Sequence, residues 1–217
     1  MTPGKQYWVN YNGQPVQLCV FPLPELNMTQ DIGGSYSHAG SQAMDCVGTS
    51  NRAPLYASAD NLFKWIYYPG ESAGNEQIFQ SSQPVLTPSG LSYVRFLLVH
   101  CNNPLPVTQI DALTQQGDLW YYTGTAGNVT GDHVHINVGK GQFDPTVFPL
   151  VENPQGVWEL IDEASPVDIF FVNDTQVIQG YNHNWQTYSE PIYNSRDEAL
   201  HASEHKMKWI YYLRRRH

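Results

Sequence analysis

At 217 residues the chain suits one sizeable domain, or a domain with a small appendage, and 41% hydrophobic with 13% aromatic content suffices for a core. Only 14% of residues are charged and the net charge is −9, which excludes a nucleic-acid backbone as partner, because that contact needs clustered Lys and Arg. No apolar run of about 18 residues is present to span a membrane, and three cysteines (Cys19, Cys46, Cys101) without Cys-x-x-Cys spacing argue against a disulfide framework and a thiolate metal site.

Fifteen prolines, 17 glycines and 14 tyrosines among β-branched runs point to a mainly β fold with many turns. The opening stretch "MTPGKQYWVNYNGQPVQ" has no apolar core of a secretory signal, so export by that route is not expected. The first 30 or so residues carry turn signals at Asn12-Gly13, Pro22 and Pro24 and predict one or two strands. Short β-like runs follow: "APLYASADNLFKWIYY" (53–68), "QIFQSS" (77–82), "SYVRFLLVH" (92–100), "DLWYYTG" (118–124) and "HVHINVG" (133–139). Helical periodicity over this stretch is confined to "PVTQIDALTQQG" (106–117).

The Pro-rich "FDPTVFPLVENPQG" (143–156) reads as a connection, dividing the chain into 1–150 and an appendage over 155–217. "VDIFFVNDTQVIQGYNHNW" (167–185) predicts a hairpin turning at Asn173-Asp174. "SRDEALHASEHKMKWIYYLRRR" (195–216) carries the strongest helix signal, with a Ser195/Glu198 capping box, acids in the first turn and arginines in the last. Leu200, Met207, Trp209, Ile210, Tyr211 and Leu213 give that helix an apolar side to pack.

Eight histidines remain to be weighed. In an extended chain residues i and i+2 share a face, so His133 and His135 in "TGDHVHINVG" stand side by side. Such a pair alone is more often structural than metal-binding. His38 and Asp45 flank a Gly-containing loop in "SYSHAGSQAMDCVG", where a loop His and a turn Asp are the plainer explanation. His100 ends the apolar "FLLVH" strand as a rim residue would. His201 and His205 lie four apart on one helical face, but without the Glu of a His-Glu-x-x-His site and beside Lys206 and Lys208 they read as solvated. His183, between two asparagines, reads as a turn residue.

Taken in order, a His…Asp pair, a strand-end His and a Gly-rich turn into His-x-His make a recognisable constellation. The segment Thr123-Gly124-Thr125-Ala126-Gly127-Asn128-Val129-Thr130-Gly131-Asp132-His133-Val134-His135 resembles the "TGN…TGxHxH" hallmark of lysostaphin/LytM-type zinc endopeptidases, which cleave bacterial peptidoglycan. "RAPLYASAD" (52–60) resembles the family's strand after the metal-binding Asp, and "AMDCVG" its "GIDI". The similarity covers residues 30–140. It departs from the family's His-x-x-x-Asp spacing, since six residues separate His38 from Asp45 and those around Gly40-Ser41-Gln42 must loop out.

The resemblance implies one Zn²⁺ per chain held by His38, Asp45 and His135, with His100 and His133 as catalytic histidines beside it. Zinc so held keeps a position for water and lowers its pKa toward ~7. The implied fold is a small antiparallel β-sheet crossed by a substrate groove, which Tyr36, Trp120, Tyr121 and Tyr122 would line, with the C-terminal hairpin and helix appended. The implied substrate is a peptidoglycan cross-link peptide, and without an export signal the chain resembles phage endolysins or virion-associated lysins. Its C-terminal part would then meet cell wall or phage structural partners. The competing reading is a non-catalytic cell-wall or assembly binding module of the same fold. Such modules usually lose a metal position, and all five residues are present here.

Overall fold

The structure, a computed structural model, describes residues 1–102, 109–173 and 175–202. It is mainly β, as composition and turn signals require. A large sheet runs, in spatial order, through Leu113–Thr114, Asn61–Tyr67, Glu76–Ser81, Val94–Val99, Val134–Lys140, Met44–Cys46, Leu26–Gln30 and Val177–Gln179, with Glu163–Ala164 pairing beside Val134–Lys140. All its pairings are antiparallel except that of Val177–Gln179 with Leu26–Gln30.

Strand alternation gives this sheet two different faces. Phe79, Phe96, Leu98, Val134, Ile136, Val138, Met44 and Cys46 point into the main core, closed from the other side by Trp120, Tyr121, Leu55 and Phe170. The intervening residues point the other way. There Ile78, Leu97 and Val99 are covered by the hairpin of Leu150–Glu152 with Trp158–Leu160, through Leu150 and Leu160. Asp45, His135 and their neighbours occupy the rest of that second face.

Local chemistry accounts for the turns. Asn12 and Gly13 both take positive φ, the geometry a two-residue hairpin needs, and they join Trp8–Tyr11 to Gln14–Gln17. Ser195 caps the helix at 196–202, its Oγ accepting from the Glu198 N–H at 3.2 Å. The Glu198 carboxylate accepts from the Asn194 N–H instead of that of Ser195, one residue off the capping box. Residues 203–217 of the expected helix, with His205, Trp209, Ile210 and Leu213, lie outside the described residues, as do 103–108.

Several expectations change. Residues 109–117 form a turn and the short strand Leu113–Thr114 rather than a helix, with Asp111 at φ 64° breaking helical backbone. Trp120 and Tyr121 are sealed in the core, so neither lines a groove, whereas Tyr36 is 78% exposed. The hairpin expected over 167–185 does not form: Phe171 bridges to Val20 and Gln186, and Val177–Gln179 pairs in parallel with Leu26–Gln30. The sheet edge at Leu26–Gln30 offers unpaired backbone groups, and they take the segment that would otherwise fold on itself. The cysteines are buried and free.

Residues beyond 155 share the core: Leu160, Ile169, Phe170 and Val172 are buried in it. Burying such side chains contributes about 1.5–3 kcal/mol each, together comparable to the stability of a whole domain. A chain ended at Glu152 is therefore expected to lose cooperative thermal unfolding and to aggregate, which light scattering and calorimetry would register.

Candidate metal centre

The register pairs His135 directly with Asp45 across adjacent antiparallel strands. Both side chains therefore rise from one face within reach of each other. His38 comes from a turn after Leu26–Gln30, its N–H bonded to the Gly34 carbonyl and its own carbonyl to the Ser41 N–H. The extra residues between His38 and Asp45 do loop out. Glu163 fixes that loop, its Oε2 accepting from Ser41 Oγ at 3.0 Å and the Gln42 N–H at 2.8 Å.

Three donor atoms meet. His38 Nε2 lies 3.1 Å from His135 Nδ1 and 3.3 Å from Asp45 Oδ1, and His135 Nδ1 lies 3.2 Å from Asp45 Oδ1. Bonds of ~2.0–2.1 Å at tetrahedral angles put ligand atoms ~3.3 Å apart, so this triangle has the edge lengths of one face of a metal tetrahedron. Two imidazoles and a carboxylate form a donor set suited to a divalent transition metal. Among the described residues these three are the His, Cys, Asp or Glu group placed to hold an ion.

His133 and His100 stand at the rim. His133 Nε2 is 3.7 Å from Asp45 Oδ2, and the His100 ring lies 4.6 Å from the His133 ring and 6.2 Å from that of His135, centroid to centroid. Each of the four rings is gripped by its far nitrogen. His38 Nδ1 donates to the Asp31 carbonyl at 3.1 Å, His100 Nδ1 to that of Ala126 at 2.8 Å and His133 Nδ1 to that of Gly131 at 2.9 Å. His135 instead uses Nε2, donating to Glu159 Oε2 at 3.0 Å. A ring nitrogen bonded to a carbonyl must carry the proton, so it is Nε2 that His38 turns to the triangle and that His100 and His133 turn to its rim.

Backbone geometry explains the glycines of the motif. His100 sits at φ 86°, a strained position for a residue with a Cβ. Its N–H bonds to the Gly74 carbonyl and its carbonyl to the Ala126 N–H. A Cβ on Gly124 would lie 2.2 Å from the His100 carbonyl oxygen, and one on Gly127 would lie 3.2 Å from Gly74 Cα. Only glycine lets this loop close on the strained histidine.

The electrostatics follow from burial. Desolvation alone would raise the Asp45 carboxyl, but hydrogen bonds from His135 and His38 overcome it and hold the group well below the carboxylate range. Burial opposes charge on His135, yet Glu159 and Asp45 outweigh it and push that ring well above its ordinary value. Burial, reinforced by His133 and His135, lowers His100 to about 3, so it is neutral at working pH.

Glu159 and Glu76 are the residues that sequence reasoning missed. Nothing in "GVWELI" or "NEQIF" marks either, and only the fold sets them near His135. Two further aspartates of residues 1–150 have other partners: the Asp31 carboxylate binds His183 Nε2 at 2.5 Å, and Asp60 accepts from Gln17 and the Gln116 N–H.

No family model matches the chain. It is 30% identical over 176 residues to Morphogenesis protein 1 of Bacillus phage B103, covering 79% of this chain and 45% of that protein. The chain thus spans just under half the length of the curated relative it matches. Several of the solved structures it resembles are described as peptidases or M23 proteins. A zinc-containing peptidase from Vibrio cholerae matches with TM-score 0.44 and 17% identity over 58% of this chain and 37% of that one. The catalytic domain of the prophage-encoded M23 protein EnpA from Enterococcus faecalis gives 0.40 and 17% over 54% and 82%. The lysostaphin catalytic domain from Staphylococcus simulans gives 0.35 and 14% over 58% and 82%. Likenesses this distant do not carry a function across, which leaves that to the residues of the site.

Glu76 offers a test of the electrostatics. Burial, with Glu159 adding to it, raises its carboxyl to about 7, and its Oε2 has no hydrogen-bond partner among the described residues. The folded protein thus holds a proton that the unfolded chain releases from ~4.3 upward. Stability contributed by this group is present below that value and falls as pH rises toward 7. Glu76→Gln should remove this decline and raise stability by about 1–3 kcal/mol above pH 7, measured by urea denaturation of chelator-treated protein across pH 4–8.

Proposed function

We propose that the protein is a zinc-dependent endopeptidase that cleaves peptide cross-links of bacterial peptidoglycan, acting as a phage endolysin or virion-associated lysin. The observation that carries this reading is the His38/Asp45/His135 triangle with two further histidines, each held by a backbone carbonyl, at its rim. Zinc bound there would supply a Lewis acid for the scissile carbonyl and a water acidified to near-neutral pKa.

The chain's own residues have separable tasks. Asp45 and the two imidazoles bind the ion. His133, 15% exposed and with Nε2 turned toward Asp45, is placed to take a proton from the attacking water. His100, kept neutral by burial and with its Nδ1–H on the Ala126 carbonyl, presents an unprotonated Nε2 beside it; once it has received the proton that His133 takes from the water, that nitrogen would steady the developing oxyanion and give the proton to the leaving amine. All five residues lie within 1–150, and we assign 155–217 to support of the site and to contacts with cell wall or other phage proteins.

The relative named as a morphogenesis protein of a Bacillus phage favours a virion-associated role. A non-catalytic binding module is the second reading, and retention of all five residues speaks against it.

Two predictions separate the roles. Asp45→Ala should abolish zinc uptake, read by elemental analysis of purified protein against one ion per wild-type chain. His100→Ala and His133→Ala should keep zinc but lower peptide cleavage by ~10²–10⁴, followed by mass spectrometry of fragments released from purified walls. Loss of zinc in His133→Ala would reverse the assignments of His133 and His135.

A further inference from the structure

We propose that Glu159 is a positioning residue for the metal centre, fixing the ring of His135 and adding a second negative charge behind it. The inference rests on the reading that His38, Asp45 and His135 hold a metal ion.

Glu159 does not come from the sheet that carries the ligands. It sits in Trp158–Leu160, half of the hairpin laid over the second face, and Leu160 anchors that strand by burying its side chain and donating its N–H to Asn137 Oδ1 at 2.9 Å. Leu150 and Leu160 pack on Ile78, Leu97 and Val99, so the hairpin's height above the sheet is set by apolar contact. This delivers a carboxylate that is 1% exposed to within 3.0 Å of His135 Nε2.

A buried carboxylate is costly to keep, and a hairpin held only for packing would do better with an apolar side chain there. The Glu159 side chain forms one hydrogen bond, through Oε2 to His135, and its Oε1 has no partner among the described residues. Its hydrogen bonding is thus spent on the back of a ligand. With Nε2–H donated to Glu159, Nδ1, the atom in the donor triangle, is the nitrogen of His135 that would give its lone pair to an ion, which would displace the proton now shared with Asp45. The carboxylate also makes that nitrogen a stronger donor. With Asp45 and a divalent cation, Glu159 brings the local charge from about +1 to about zero, which favours retention of the ion.

His38 is held differently, by the neutral carbonyl of Asp31. The two imidazoles are therefore unequal, and removing charge behind His135 isolates the effect.

The test uses the full chain and Zn²⁺ in competition with a chelator of known affinity. Glu159→Gln, which keeps shape and can still accept a hydrogen bond, should raise the zinc dissociation constant ~10–100-fold. Glu159→Asp, which restores the charge one methylene further back, should recover part of that loss. Glu152→Gln, an exposed site on the same hairpin, should leave affinity unchanged. A Glu159→Gln affinity within twofold of wild type overturns the proposal. Should Glu159→Gln fail to fold, ¹⁵N NMR of the zinc-loaded wild type decides: a His135 ring protonated at Nε2 supports it, and one protonated at Nδ1 overturns it. Absence of zinc uptake by the wild type would sink the metal reading and this inference together. Uptake with an indifferent Glu159→Gln would sink this inference alone.

Discussion

Everything distinctive about this fold depends on burying the Asp45 carboxylate between two imidazoles. A lone buried carboxylate is expensive, and in most β-sheets the residue between Met44 and Cys46 would be apolar. Antiparallel register places His135 directly across from it, and the turn carrying His38 adds a second ring. Those two neighbours hold Asp45 ionised, and Asp45 in turn draws both rings toward one point. Remove the carboxylate and two imidazole nitrogens 3.1 Å apart are left facing each other with little reason to stay.

That constraint explains how the rest of the sheet is loaded. One face is conventional core, filled by aromatic and aliphatic side chains. The other cannot be, because Asp45 and His135 occupy it, so its apolar remainder is roofed by a separate hairpin. The hairpin shields part of this face while the His133 side remains partly open. The proposed hydrolysis would use that combination, a buried charge cluster with one accessible edge.

How much of this the sequence discloses depends on the range of the interaction. His133 and His135 are legible because alternation along a strand is a local rule, and Asp45 because its flanking Met44 and Cys46 read as a strand. The same local logic predicts a hairpin over 167–185, but the sheet edge at Leu26–Gln30 takes its second half. Trp120 and Tyr121 read locally as groove residues, and only packing sends them inward. Glu159 had no local signature at all. Its importance comes from a register between strands and the height of a hairpin, neither of which any window of sequence records.

The way each histidine is held also bears on what it can do. His100 and His133 hang from backbone carbonyls, neutral acceptors that fix a tautomer without greatly raising ring basicity. His135 hangs from a carboxylate, which strengthens its inward nitrogen as a donor and favours a permanent bond over reversible proton exchange. A ring meant to shuttle a proton is better served by the weaker partner, since a strong one would hold it charged. His38, His100 and His133 share a carbonyl acceptor although His38 belongs to the triangle, and His135 alone of the four is backed by a buried carboxylate. The strain at His100 fits the same scheme, because a left-handed backbone at that position turns its ring toward His133 instead of along the strand.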